Sequence, residues 1–102
     1  MIKIKVKNKK EFENYLIDNS CDISIAIINI IEKNLKTKKR NIPFFEVELE
    51  EEQEILDITL DRKNFVDTLN KNIITLEKNE QYEYCSKAIN LINQIINQSH
   101  EQ

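Results

Sequence analysis

"FFEVELEEEQEILDITLD", residues 44–61, sets two alternating runs around an acidic centre. Phe45, Val47 and Leu49 alternate with Glu46, Glu48 and Glu50, and Leu56, Ile58 and Leu60 alternate with Asp57, Thr59 and Asp61. Successive side chains of a strand point to opposite faces, so each run reads as a strand with one apolar side. Folding the chain back at Glu51-Glu52-Gln53-Glu54 puts all six apolar residues on one face. The stretch predicts a β-hairpin with a dry face and an acidic face. No Asn-Gly pair marks a tight turn, so a loop of about four to six residues is expected.

The first residues supply a partner for that acid. Ile2, Ile4 and Val6 alternate with Lys3, Lys5 and Lys7, a strand with one apolar and one basic face. Placed in one sheet with the hairpin, each lysine sits opposite a Glu or Asp, at roughly 0.2–1 kcal/mol per opposite-charge pair. On this reading most of the acid is the wet side of a balanced sheet. The tip residues Glu50, Glu51, Glu52 and Glu54, with Asp57, remain for contact with a partner. A sharper alternative is that they imitate nucleic-acid phosphates.

The rest of the chain reads as helices. Asn8 with Glu11 forms a capping box for a helix over about 9–18, carrying Phe12, Tyr15 and Leu16. Asp22 is a candidate cap for a second helix over about 23–37, with Ile23, Ile27, Ile30, Ile31 and Leu35 on one stripe. "ISIAI" also alternates like a strand; the length of the run and its Lys-rich end favour helix. "KTKKRN" follows as a basic loop. Asp61 is the expected cap of a third helix with Phe65, Leu69, Ile73 and Leu76, and Asn79 the expected start of a fourth. The short connection at Lys78-Asn79 makes these two an αα-hairpin. The predicted fold is α+β: a small, mainly antiparallel three-stranded sheet packed on helices, in the order β-α-α-β-β-α-α. One compact domain over 1–98 and a frayed tail over 99–102 are expected.

Composition narrows the function. The chain has 102 residues, 40% hydrophobic and 32% charged, with no Gly and one Pro. That length buries roughly 60–70% of the unfolded surface in one modest core. Without Gly there is no phosphate-cradling loop or dinucleotide fingerprint, and turns are expected to rely on Asn and Asp. Abundant Ile, Asn and Lys point to a low-GC genome, that of a bacterium, phage or mobile element. The Lys-rich start lacks a signal-peptide core, and the longest apolar run is too short to span a membrane. With two separated cysteines, a cytoplasmic protein with reduced thiols is expected. Charge is uneven: residues 1–40 hold ten basic and five acidic side chains, the remainder five and thirteen.

Catalytic chemistry is not indicated. The single histidine, His100, lies in the expected tail, and Cys21, Cys85 and His100 have no metal-ligand spacing. A non-enzymatic protein with no cofactor and no metal is expected. Lys36, Lys38, Lys39 and Arg40 form a basic cluster suited to phosphates, which makes nucleic-acid binding the alternative function. The last helix, about 80–97, carries two apolar stripes: Tyr82, Cys85, Ile89, Ile92 and Ile96, then Tyr84, Ala88, Leu91 and Ile95. One stripe suffices for a two-layer fold. The second packs on the second helix, or else exposes Tyr84 and Leu91 as anchors for a partner or a homodimer.

Residues 81–92, "QYEYCSKAINLI", resemble the second helix of the UVR motif, a helical hairpin of excision-repair subunits and protease-regulatory proteins. Tyr82-Glu83 stands where the motif has an aromatic-Glu pair, Cys85-Ser86 where it has two small residues, and Ile92 at its closing apolar position; Ile89-Asn90 replaces its usual Arg-Asp. Phe65, Leu69 and Leu76 suit the preceding helix. The resemblance covers about a third of the chain and implies a hairpin used for protein–protein contact. The leading expectation is a small protein-binding adaptor or inhibitor, of the kind a phage carries against host defence. It would dock on a larger protein through the helical hairpin or the acidic tip.

Overall fold

In the computed structural model, which describes residues 1–100 apart from the side chains of 99 and 100, the chain is α+β. Strand β1 (Ile2–Val6) is followed by helices α1 (Lys9–Asp18) and α2 (Ser20–Lys33). Strands β2 (Asn41–Leu49) and β3 (Glu54–Asp61) come next, then a 3-10 turn (Arg62–Asn64) and helices α3 (Phe65–Lys78) and α4 (Tyr82–His100). The expected tail coincides with the last turn of α4 and with residues 101–102, which lie outside the described residues.

The sheet has the order β1-β2-β3 and is mixed. β2 and β3 form the predicted antiparallel hairpin, with Phe45 opposite Ile58 and Val47 opposite Leu56 across a four-residue loop, 50–53. β1 joins β2 in parallel, with Ile4 beside Val47 and Val6 beside Leu49. Parallel pairing needs a long crossover, and α1 with α2 supplies it while covering the apolar side. The same register places Lys3 beside Glu46 and Lys5 beside Glu48, the expected opposite-charge neighbours, while across the hairpin Glu46 faces Asp57.

A bulge between Pro43 and Phe45 adds Phe44 to β2 without a partner on β3. Two residues then face one, and simple alternation breaks. Ile42, Phe44, Phe45, Val47 and Leu49 are therefore all buried. The Phe45 ring meets Phe12 and Tyr15 of α1 edge-on, at centroid distances of 6.1 and 6.3 Å.

α2 is helical through residues 23–31, which resolves the "ISIAI" ambiguity. It starts earlier than expected: Asn19 ends α1 and begins α2, and Asp22 lies inside the first turn. It also ends earlier, at Lys33, with Asn34 as its C-cap. α2, α3 and α4 pack on one another. Across α2 and α3 the Ser24 hydroxyl donates to Asn72 Oδ1 at 2.7 Å, and across α2 and α4 Lys87 Nζ donates to Asn29 Oδ1 at 2.9 Å.

A chain without glycine must end its helices by other means. Asn19, Asn34 and Asn79 each donate a side-chain amide back to the carbonyl four residues earlier, at 2.9, 3.0 and 2.8 Å. Asn79 thus closes α3 and does not start α4. Gln81 N–H donates to Leu76 O at 2.9 Å and Glu80 N–H to Glu77 O at 3.0 Å, the two bonds of a Schellman motif. Glu80, with φ 57°, occupies the left-handed position that glycine usually fills, and Gln53, with φ 51°, does the same in the hairpin loop. The strained positions fall to Glu and Gln, not to the Asn and Asp expected; at the end of α3 the asparagine stands one residue earlier, as the C-cap.

Candidate functional site

β2 separates two charged ends. Its nine residues, at about 3.3 Å each, set the basic loop before it and the acidic loop after it about 30 Å apart.

The basic end is built on Arg62. Asp61 pairs with Asn41 at the last step of the hairpin, and Arg62 N–H donates to Arg40 O at 2.7 Å. This tucks the guanidinium under the loop that leaves α2. Nε donates to Lys39 O at 2.6 Å, while Nη2 donates to Asn34 O at 2.7 Å and to Thr37 Oγ1 at 2.8 Å. Nη1 reaches Leu35 O at 3.4 Å, and the guanidinium lies 5.1 Å from the Phe65 ring centroid. The last carbonyls of a helix lack intrahelical donors and carry partial negative charge. Arg62 brings donors and charge to the carbonyl of the C-cap Asn34 and to those of Leu35 and Lys39 beyond it. Because the loop carbonyls turn inward, Lys36, Lys38, Lys39 and Arg40 are left exposed. Lys38, Arg40, Asp61, Arg62 and Lys63 line one open cleft of about 520 Å³. An adjoining depression of about 390 Å³ shares Arg62 and Lys63 and adds an apolar wall from Leu35, Phe65, Val66 and Ile95. Asp61 caps the 3-10 turn through Lys63 N–H at 3.1 Å and lies 3.7 Å from Lys63 Nζ.

The acidic end gathers Glu50, Glu51, Glu52 and Glu54 at one loop, all exposed, with Asp57 on the outer face of β3. The loop is anchored to the first strand's exit: Glu51 N–H donates to Lys7 O at 2.9 Å, and Asn8 Nδ2 donates to Glu51 Oε2 at 3.3 Å. Asn8 also caps α1 through Glu11 N–H at 3.0 Å. The carboxylates of Glu50, Glu52, Glu54 and Asp57 have no hydrogen-bond or ion-pair partner among the described residues.

The predicted anchors on α4 are not part of either end. Leu91 is 2% exposed and belongs to the core, which corrects its assignment as a partner contact. Tyr84 is half-buried, with Lys87 Nζ 5.8 Å from its ring centroid. α4 packs on both α3 and α2, so its buried arc centres on Ala88 and Leu91 rather than on one stripe. The apolar residues left outside are Tyr82, Ile89 and Ile96, at 63%, 49% and 42% exposed.

Nucleophilic and metal-binding groups are scattered. Cys85 is buried, its Sγ 3.9 Å from Ile73 O, and burial together with the nearby Glu77 carboxylate pushes its thiol pKa up. Cys21 is half-buried and unpaired. Among the described residues no three His, Cys, Asp or Glu side chains converge to hold a metal ion, and no helix is long and apolar enough to cross a membrane. Sequence reasoning missed Arg62 and Lys63, since a lone basic pair in a turn carries no periodic signal. The clue available was the glycine-free exit from α2, whose loop carbonyls needed donors from elsewhere.

Compared with protein-family models, with curated proteins and with solved structures, the chain matches none of them.

Proposed function

We propose that this protein is a small non-enzymatic binding module, an adaptor or inhibitor, that docks the acidic tip of its hairpin on a basic surface of a larger protein. The observation that carries the reading is the difference between two sets of carboxylates. Glu46 and Glu48 lie beside Lys3 and Lys5 in the sheet register, whereas Glu50, Glu52 and Glu54 lie past the end of that register and Asp57 lies opposite Glu46, so none of these four has a lysine of β1 as its register neighbour. Opposite potentials steer encounter and set specificity. A loop already anchored through Glu51 loses little further freedom on binding. Tyr82, Ile89 and Ile96 on the helical hairpin offer a second, apolar contact. The sharper form of the proposal is a phage-borne inhibitor of a host defence protein, whose acidic tip occupies a channel meant for nucleic acid.

The test is a tagged pull-down from lysate of the source cell, with and without nuclease. A protein retained after nuclease, released by raised salt and lost with the triple variant Glu50→Lys, Glu52→Lys, Glu54→Lys is the expected result. Undiminished capture by that variant would remove the tip from the function.

A further inference from the structure

The basic end answers to a different ligand. We infer that the Arg62-braced cleft binds the phosphate backbone of a nucleic-acid duplex without reading its sequence. The loop 36–40 and the turn 61–63 hold six cations and one carboxylate, Asp61. Along the chain the next acids, Glu32, Asp57 and Asp67, each lie four residues from the ends of these segments, and Glu32 is paired with Lys87. Asp61 is engaged by Lys63 and so offsets that cation, while Arg62 is held by the loop carbonyls. Lys36, Lys38, Lys39 and Arg40 are exposed and have no side-chain partner among the described residues.

Ordinary flexible lysine loops lose entropy when they bind. Here one guanidinium and one amide of Arg62 already hold the backbone carbonyls of Asn34, Leu35, Lys39 and Arg40 and the Thr37 hydroxyl. Lys38, Arg40, Arg62 and Lys63 line a concave surface whose rim is pre-set, with Lys36 and Lys39 exposed on the same loop, an arrangement suited to phosphate contacts.

The kind of nucleic acid follows from what the cleft lacks. Single-strand binders stack bases on exposed aromatic rings. No aromatic residue lines this cleft, and Phe65, in the adjoining depression, is 2% exposed beneath Arg62. Backbone contact without stacking suits a duplex.

The net charge of −3 does not oppose this. The acidic loop 50–53 lies about 30 Å away along β2, and Asp57, four residues before Asp61 on β3, about 13 Å. The Debye length is about 8 Å at physiological salt, so their repulsion at the cleft is largely screened.

The experiment is fluorescence anisotropy of the full chain with a labelled duplex of about 20 base pairs of arbitrary sequence, from 50 to 200 mM salt. Expected are micromolar binding at 50 mM, no preference between sequences, and a log–log salt slope of about −3 to −4 for about four neutralised phosphates. The variant Lys38→Glu, Arg40→Glu changes two unpartnered surface residues and keeps the wild-type circular dichroism. It is expected to bind about tenfold or more weakly and with a shallower slope. Absence of binding at 50 mM salt, unchanged affinity in that variant, or tighter binding of the matching single strand would each overturn the proposal.

Discussion

Arg62 shows how one side chain substitutes for a missing residue type. It donates four side-chain hydrogen bonds to the segment that leaves α2, where a glycine cap would ordinarily close the helix. Arg62→Ala is expected to cost about 1.5–3 kcal/mol, because charge-assisted hydrogen bonds to part-buried carbonyls are lost. Urea denaturation measures it, and Arg62→Lys should restore less than half, since an ammonium cannot address several carbonyls as a planar fork does. Glu80 is the opposite case. Its backbone φ of 57° is one that a residue with a Cβ adopts at a cost. Glu80→Gly should therefore raise stability by about 0.5–1 kcal/mol. Lys71→Gly, in the interior of α3, should lower it by about 1 kcal/mol. If both glycine variants lose stability alike, the left-handed turn holds no relievable strain.

Elements are held in place by register and by helix phase. Reversing Lys3 and Lys5 to Glu puts like charges beside Glu46 and Glu48. The expected loss is about 0.2–1 kcal/mol per position, recovered when Glu46 and Glu48 are changed to Lys in the same chain. No recovery in thermal unfolding would mean that the parallel pairing of β1 does not depend on charge. On α4 the contrast is between neighbours on opposite sides. Leu91→Asp buries a carboxylate in the core and is expected to unfold the domain, at more than about 4 kcal/mol. Ile89→Asp, on the exposed side, should leave circular dichroism and melting nearly unchanged. A homodimer anchored on Leu91 would need a side chain that the fold already uses, so Ile89→Asp is also the variant whose solution mass reports on that face.

At the scale of the whole molecule the two charged ends are separable. β2 is long enough that their fields overlap only weakly at physiological salt. Changing Glu50, Glu52 and Glu54 to Lys should leave duplex affinity within about twofold at 150 mM salt. It should tighten binding at 10 mM, where the Debye length reaches about 30 Å. Anisotropy titrations at the two salts check this, and an equal effect at both would place the tip and the cleft in direct contact. Acid and base therefore need not be rival explanations of one function. A single short chain can present each to a different partner.

The hairpin, its turn and its dry face were legible in "FFEVELEEEQEILDITLD" because alternation is a property of neighbouring residues. The α1 cap at Asn8 and Glu11 and the apolar stripes of α2 and α3 were legible for the same reason. So were the matched lysine and glutamate faces, since a shared period needs only a sheet in which to meet. Other features depend on residues far apart in sequence. β1 runs parallel because two helices intervene and cross over the sheet. Phe44 turns inward because the bulge is set by pairing with β3. Leu91 is buried and Ile89 exposed because α4 must satisfy both α3 and α2. Arg62 reaches the end of α2 only once the hairpin has closed and brought Asp61 to Asn41. Local periodicity decided which segments form elements and which face of each strand is dry. Only the packed structure, where distant donors meet carbonyls and each helix takes its final phase, decided which charged and apolar groups remain free to bind.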